Sequence, residues 1–259
     1  MTSDLDGWGV AITGGAQGLG YACAEAFARR GAGVALIDLN SEALDRAAAR
    51  LAEETGAPVH AVPGSVARRA EAEAALAQAH AALGRLDSLI NNAGVYPRKA
   101  LYEIEDADWD ASVGVNLRGV YNMTAAAAPI LCANAPRAAA SSGRPVRGRI
   151  VAVSSVDAFK AHPANAHYAA VKAAVLSLTK SFALDLAPKG VLVNAVAPAA
   201  MATEKAQGGG FLEEFAALTP IGRAADPAEV AAAILHLAGP ENSYIAGETL
   251  LVAGGYVMD

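Results

Sequence analysis

The sequence predicts a single α/β domain in which seven parallel strands form a doubly wound sheet with helices on both faces. Short apolar runs alternate with longer Ala-rich amphipathic stretches from end to end, with no internal repeat and no linker. At 259 residues the chain suits one domain of this class, spanning residues 1–259. Several apolar runs close in Gly-rich or polar turns, at the strand ends where such sheets collect their ligands.

Residues 8–12 form the first expected strand, followed by Thr13-Gly14-Gly15-Ala16-Gln17-Gly18-Leu19-Gly20 and an amphipathic helix to Arg30. Gly31-Ala32-Gly33 ends that helix, and residues 34–38 form a strand closing on Asp38. A helix over 41–55, a strand over 58–62, a helix over 67–83 and a strand over 86–90 follow. The last of these runs into Asn91-Asn92-Ala93-Gly94. A long helix over 106–133 carries Asn116, and residues 136–147, rich in Arg, Ser, Gly and Pro, read as a loop. Residues 148–153 are a buried strand ending at Ser154-Ser155, and a long helix runs from Pro163 to Ala187. After a strand at 191–195, the irregular segment 198–218, with Gly208-Gly209-Gly210, reads as a mobile substrate lid. Asp226 caps a helix to Leu237 with Pro227 at its first position, and residues 249–252 are the last strand. Seven strands thus alternate with six helices.

A strand, a Gly-rich turn, a helix and a second strand ending in an acid make a βαβ unit suited to a dinucleotide, a Rossmann-type arrangement. Glycine lets the backbone approach a pyrophosphate, and the helix start offers unpaired N–H groups. Asp38 lies eighteen residues after Gly20, where a carboxylate accepts hydrogen bonds from the adenosine ribose and repels a 2′-phosphate. Leu39 and Asn40 bring no cation, and position 17 is Gln, so the reading is NAD(H) rather than NADP(H).

Composition narrows the class. The chain is 54% hydrophobic but only 5% aromatic, so a large core is built mainly from Ala, Val, Leu and Ile. A net charge of −6 argues against nucleic acid as the partner. Cys23 and Cys132 are too few for a metal site and read as core thiols, and no metal site is expected. The acidic, polar start and the lack of a long uncharged apolar run predict a cytoplasmic protein without a membrane span.

The chemistry-bearing residues are Ser155, Tyr168 and Lys172. Tyr168 and Lys172 are one turn apart on one helix face. A phenol titrates near ~10, and a fixed ammonium beside it favours the phenolate. Ser155, on the neighbouring strand end, is placed to orient a substrate oxygen. The set reads as an acid–base device for an alcohol or a carbonyl.

The chain resembles the short-chain dehydrogenase/reductase family over essentially its whole length. The motifs occur in family order: Thr13-Gly14-x-x-x-Gly18-x-Gly20, Asn91-Asn92-Ala93-Gly94, Ser155 with Tyr168-x-x-x-Lys172 thirteen positions on, and Asn194-x-x-x-Pro198. The resemblance implies that Tyr168 exchanges the proton, Ser155 holds the substrate oxygen, and Lys172 binds the nicotinamide ribose and lowers the Tyr168 pKa. It implies that Asn116, in a distorted turn of its helix, holds a water leading from Lys172 to solvent. It also implies cofactor contacts from Thr13, Gly14, Gln17, Gly18, Leu19, Gly20, Asp38, Leu39, Ser65, Val66, Asn92, Ala93 and Gly94. Pro198, Ala199, Met201 and Thr203, the last at the nicotinamide carboxamide, complete that set with Tyr168 and Lys172. A homotetramer or dimer, packed through the helices of Asn116 and Tyr168, is implied as well.

Three departures from the family pattern stand out. Gly64-Ser65-Val66 replaces an adenine-contacting Asp, Pro198-Ala199 replaces Pro-Gly, and Ala253-Gly254-Gly255 replaces Asp-Gly-Gly. The loop before the signature strand is long. It reads either as a surface insertion or, through Arg137, Arg144, Arg147 and Arg149, as a contact for an acidic carrier protein or a neighbouring subunit. At the substrate end, Tyr96 and His162, with Asn165, His167, Arg98 and Lys99, are the polar candidates beside Ser155 and Tyr168.

The leading expectation is an NAD(H)-dependent oxidoreductase interconverting a secondary alcohol and a ketone, in the oxidative direction. The alternatives are a 3-oxoacyl-carrier-protein or polyketide-type ketoreductase, and a catalytically silent nucleotide-sensing scaffold. Loss of Tyr168 or Lys172 would mark the scaffold, and both are present.

Overall fold

Alternation along each strand sends side chains to opposite faces of a sheet, and here both faces are apolar. In the computed structural model, which describes residues 4–206 and 211–258, the first half runs β1 (Gly9–Thr13), α1 (Gly18–Ala28), β2 (Gly33–Asp38), α2 (Ser41–Thr55), β3 (Val59–Pro63), α3 (Arg69–Leu83) and β4 (Ser88–Asn91). Then come α4 (Asp106–Ala111), α5 (Gly119–Ala133), the short β5 (Arg137–Ala138) and β6 (Pro145–Val146), and β7 (Gly148–Val153). α6 (Ala166–Leu186), β8 (Val191–Pro198), α7 (Phe211–Leu218), α8 (Pro227–Ala238) and β9 (Thr249–Val252) complete the chain.

The seven-stranded sheet has the order β3-β2-β1-β4-β7-β8-β9 and every pairing in it is parallel. From β1 the chain winds outward to β3, then returns past β1 to place β4 on its other side. The crevice between the carboxyl ends of β1 and β4 is therefore the topological switch point. Within β1, Val10 and Ile12 join Phe27, Leu36, Leu51 and Ile234, against α1, α2 and α8. Ala11 faces the other way, towards Leu76, Leu89, Met123 and Ile150, against α3, α5 and α6. Each fully buried Leu, Ile or Phe contributes roughly 1.5–3 kcal/mol, so the two apolar layers hold the sheet rigid beneath the strand ends.

Local signals set several boundaries as expected. Asn40 accepts from the Ala43 N–H at 3.0 Å to start α2, and Gly56, at φ 71°, ends it. Asp226 caps α8 with Pro227 at its first position. Four features depart from the sequence reading. The stretch read as one helix over 106–133 is α4, a π-helical stretch at Ser112–Arg118, and α5. The loop before β7 contains the β5–β6 hairpin, because Ala139 and Val146 turn inward onto Leu192. β8 runs on to Pro198, all eight residues buried between β7 and β9. The segment read as irregular ends in α7, whose Phe215 packs with Val156, Ala199 and Ala253. The three glycines assigned to the lid lie outside the described residues.

Among the described residues, no helix is long and apolar enough to cross a membrane, and no three His, Cys, Asp or Glu side chains cluster as a metal site would need. Cys23 is buried and Cys132 partly so, both as free thiols. The loop arginines turn largely inward. Arg137 pairs with Asp87 and donates to the Gly7 carbonyl, Arg147 to the Asn134 carbonyl, and Arg149 to the Asn242 carbonyl. Only Arg144 of the four is exposed. The hairpin also sits at the amino ends of β7 and β8, across the sheet from the Ser155 end.

Candidate active site

The Gly-rich turn between β1 and α1 is bound to the turn after β4. Thr13 is buried, and its hydroxyl accepts from the N–H groups of Asn92 and Ala93, each at 3.0 Å. Asn92 Nδ2 donates to the carbonyls of Thr13 and Gly14 at 3.0 and 3.1 Å. Thr13 and Asn92 thus act here as a brace between the two turns that flank the switch point. Gly14 has φ 66°, and a Cβ there would stand 2.9 Å from the Ala93 Cα. A Cβ on Gly20 would stand 2.0 Å from the Gly14 carbonyl oxygen.

The start of α1 fits a pyrophosphate. Gln17 makes no side-chain cap and no acid lies in the first turn, so the leading N–H groups keep their donor capacity. Gly18 meets only Thr203 across a gap, with Cγ2 3.7 Å from its missing Cβ, which puts Thr203 beside this turn. Leu19 is buried under it. At the end of β2, Asp38 accepts from the N–H groups of Ala16 at 3.3 Å and Asn40 at 3.2 Å, which turns its carboxylate over the Gly-rich turn. Leu39 beside it is 78% exposed, leaving an apolar rim at the end of β2. Ser65 Oγ accepts from the Ala67 N–H, and the Val66 carbonyl accepts from Asn122 Nδ2, so the turn after β3 is held in place. A carboxylate for the ribose, bare helix N–H groups and a side-chain-free turn fit a nicotinamide dinucleotide.

Ser155, Tyr168 and Lys172 stand where β7 and α6 meet this crevice. Ser155 follows the end of β7, and its Oγ accepts from the Asp157 N–H at 3.1 Å. Its neighbour Ser154 donates to the Lys172 carbonyl at 2.9 Å, tying β7 to α6. Lys172 is buried, its Nζ donating to the Val153 carbonyl at 2.8 Å and lying 5.5 Å from the centre of the Tyr168 ring. Burial lowers the Lys172 pKa to about 8. The Tyr168 hydroxyl is instead pushed above the ordinary phenol value, first by burial and next by the Asp157 charge, with the neighbouring Ser155 hydroxyl acting in the opposite sense. The expected lowering of this pKa by Lys172 is not found in this structure: burial and the Asp157 charge raise it, and only the Ser155 hydroxyl acts to lower it.

The π-helical stretch places Asn116. The Gly119 N–H bonds back to the Gly114 carbonyl, widening the helix by one residue and bringing Asn116 against the strap after β4. Asn116 Oδ1 accepts from the Val95 N–H at 2.9 Å, and its Nδ2 donates to the Val95 carbonyl at 3.0 Å. Gly94 lies between Asn116 and Lys172. A Cβ there would stand 2.8 Å from Asn116 Oδ1 and 3.8 Å from Lys172 Nζ.

Two departures from the family pattern prove to be one feature, since Ala199 and Ala253 pack into the same small apolar cluster. Ala199 bonds to the Val252 carbonyl and carries no positive φ, so the extra methyl introduces no backbone strain. Met201 bridges to Ala225 nearby. Asn194 is buried and braces β8 to the segment before β9, through the Ile245 carbonyl and the Glu248 N–H.

At the substrate end, the Tyr96 ring meets the Tyr168 ring edge-on with centroids 4.7 Å apart. His162 directs Nδ1 to the Ala164 N–H, which fixes its tautomer. His167 is fully buried, edge-on to Trp109 at 6.0 Å, rather than at the cleft. Lys99 is drawn off to Glu105 and Asp108. The residue the sequence reading overlooked is Asp157. It sits two residues after Ser155 in a one-turn 3₁₀ helix, and its Oδ2 accepts from Asn165 Nδ2 at 2.8 Å. Its place two residues after Ser155 was the available signal.

Residues 14–257 match the family described as Enoyl-(Acyl carrier protein) reductase. The 3-oxoacyl-[acyl-carrier-protein] reductase FabG of Thermotoga maritima is 35% identical, over 98% of this chain and 99% of that protein. A Brucella melitensis 3-oxoacyl-[acyl-carrier protein] reductase with bound NAD is 33% identical, with a TM-score of 0.87 over 99% of this chain and 94% of that one. A short-chain dehydrogenase from Burkholderia cenocepacia in complex with NADP is 32% identical, with a TM-score of 0.87 over 97% and 98% of the two chains. Motif order, sheet topology and full-length similarity agree, and the chain belongs to the short-chain dehydrogenase/reductase family of oxidoreductases.

Proposed function

We propose that the chain interconverts a secondary alcohol and a ketone with NAD(H), using Tyr168 as the general acid–base. The observation that carries this reading is the meeting of Ser155, Tyr168 and Lys172 at the carboxyl end of β7, beside the braced Gly-rich turn. When bound, the nicotinamide supplies hydride exchange at the carbinol carbon. Ser155 orients the substrate oxygen, and Tyr168 takes the hydroxyl proton in oxidation or returns it in reduction. Lys172, anchored on the Val153 carbonyl, favours the phenolate of Tyr168 while it holds its own proton. Asp38 supports NAD(H), since its carboxylate faces the turn and the next two residues in sequence, Leu39 and Asn40, bring no cation. That choice also favours oxidation, because NAD+ predominates over NADH in most cytosols.

A second reading, reduction of a 3-oxoacyl thioester, is favoured by the names of the Thermotoga and Brucella relatives. The loop before β7 gives it no support, since its hairpin lies across the sheet from Ser155 and Arg137, Arg147 and the adjoining Arg149 turn inward. A panel of secondary alcohols, ketones and 3-oxoacyl thioesters, assayed with both nicotinamide cofactors at 340 nm, tests the reading. NAD+-linked alcohol oxidation supports it. Turnover confined to thioesters with NADPH replaces it with the second reading.

A homotetramer is part of the proposal. The π-helical stretch, α5 and α6 form a groove in which Val113, Leu117, Tyr121, Ala174 and Leu178 line an apolar surface flanked by Arg118, Ser177 and Ser181, with Tyr121 exposed. A second copy bringing the same face would cover that apolar surface. Light scattering that returns the mass of one chain would refute it.

A further inference from the structure

The strap after β4, the turn after β7 and the start of α6 converge on one group of polar side chains above Tyr168. Asn165 is 1% exposed, and its Nδ2 donates both to Asp157 Oδ2 at 2.8 Å and to the Tyr96 hydroxyl at 2.9 Å. Tyr96 in turn packs edge-on against the Tyr168 ring. Asp157 is tied to Ser155 through its own N–H, and its carboxylate lies close enough for its charge to act on the Tyr168 hydroxyl. The side chain remains partly exposed.

A carboxylate is a costly choice here. Its charge opposes phenolate formation at Tyr168, the opposite of what the proton device needs. Burial also raises the pKa of Asp157 itself, with Asn165, His162 and Arg98 acting in the opposite sense. Anchoring the Asn165 amide requires only an oxygen acceptor, which an amide would provide without charge. A second acceptor is in surplus nearby, since Asn165 Oδ1 is buried with no partner among the described residues. An excess of acceptors beside the substrate oxygen calls for donors on the ligand.

We propose that Asp157 is a specificity-determining residue that accepts a hydrogen bond from a second donor on the substrate, a hydroxyl or ammonium close to the reacting carbinol. The proposal deepens the alcohol dehydrogenase reading and rests on it. The substrate class is then vicinal diols and polyols, or 1,2-amino alcohols. Such a donor would also offset the Asp157 charge beside Tyr168, so that binding of the correct alcohol favours the phenolate.

The test compares 2-butanol, 2,3-butanediol and 3-amino-2-butanol as NAD+-linked substrates of the intact protein and of Asp157→Asn. The Asn side chain keeps an acceptor for Asn165 and removes the charge. The expected result is a kcat/KM for the diol, the amino alcohol or both at least about tenfold above that for 2-butanol, falling to within about threefold in Asp157→Asn. NADH affinity stays unchanged, and the fall comes from a lower kcat/KM for the diol or amino alcohol, since loss of the charge that opposes Tyr168 ionisation raises turnover of 2-butanol if it alters it. The diol and amine arms separate a hydroxyl donor from an ammonium. Should the variant fail to fold, the same ratio is followed against pH in the unaltered protein. It falls as pH drops through the raised Asp157 pKa, with Arg98, His162, Tyr96 and Tyr168 as the other titratable or charged neighbours. A preference below threefold, or one that survives both the substitution and acidification, overturns the proposal while leaving the alcohol reading intact. No turnover of any alcohol by a protein that binds NADH overturns both.

Discussion

Lys172 Nζ donates to the Val153 carbonyl at 2.8 Å, so the cation of the site is fixed to the strand that carries Ser155. Its position is enforced by burial rather than by a counter-ion, since desolvation alone lowers its pKa to about 8. In the unfolded chain the same amine titrates near ~10.4, so between about pH 8 and 10.4 the unfolded state binds a proton that the native state has lost. Stability therefore gains a rising contribution from Lys172 across that window, and below it the buried ammonium costs about 3 kcal/mol. Lys172→Met should abolish turnover, leave Tm at pH 7 unchanged or a few degrees higher, and remove this part of the pH dependence. Calorimetry between pH 7 and 10 checks it, and a large loss of Tm would show that the lysine stabilises the fold.

Thr13 holds the two turns at the switch point through one oxygen. Thr13→Val preserves shape but leaves the Ala93 N–H without its acceptor and the Asn92 N–H with the Ile90 carbonyl alone. The expected loss is about 2–4 kcal/mol, a drop of roughly 5–15 °C in Tm. NADH binding should weaken in parallel, because the turn and the strap are no longer fixed to one another. Unchanged thermal stability together with weakened NADH binding would show instead that Thr13 contacts the cofactor directly.

Asp38 carries the cofactor assignment. Asp38→Asn removes the charge and keeps an acceptor oxygen for one of the two N–H groups, those of Ala16 and Asn40, which the carboxylate serves through separate oxygens. If charge excludes a 2′-phosphate, the NADP+ to NAD+ ratio of kcat/KM should rise at least about tenfold, or 1.4 kcal/mol. Steady-state kinetics with both cofactors decide it, and an unchanged ratio moves selectivity to another residue.

Much of this architecture was legible in the sequence because its signals are local. The bounds 41–55, 148–153 and 249–252 were read without error, since caps, glycines and apolar runs mark them directly. What was not legible depends on distant packing. The π-helical stretch at Asn116 matches the distorted turn that the family resemblance implied, but the local helical pattern does not mark it, because its cause is the strap after β4 lying against it. The β5–β6 hairpin has loop composition and is fixed only by Ala139 and Val146 meeting Leu192. Ser155, Tyr168 and Lys172 were legible as a set, but Asp157 was not. Its role depends on Asn165 and Tyr96, brought to it from α6 and the strap after β4.

The proton device is the central claim, and Tyr168→Phe tests it most directly. The substitution removes one oxygen and keeps the ring that packs edge-on against Tyr96. NADH titration by fluorescence should return an affinity within about twofold of the unaltered protein, while kcat falls by at least about a hundredfold on any substrate the protein turns over. Retained turnover with intact NADH binding would contradict the account.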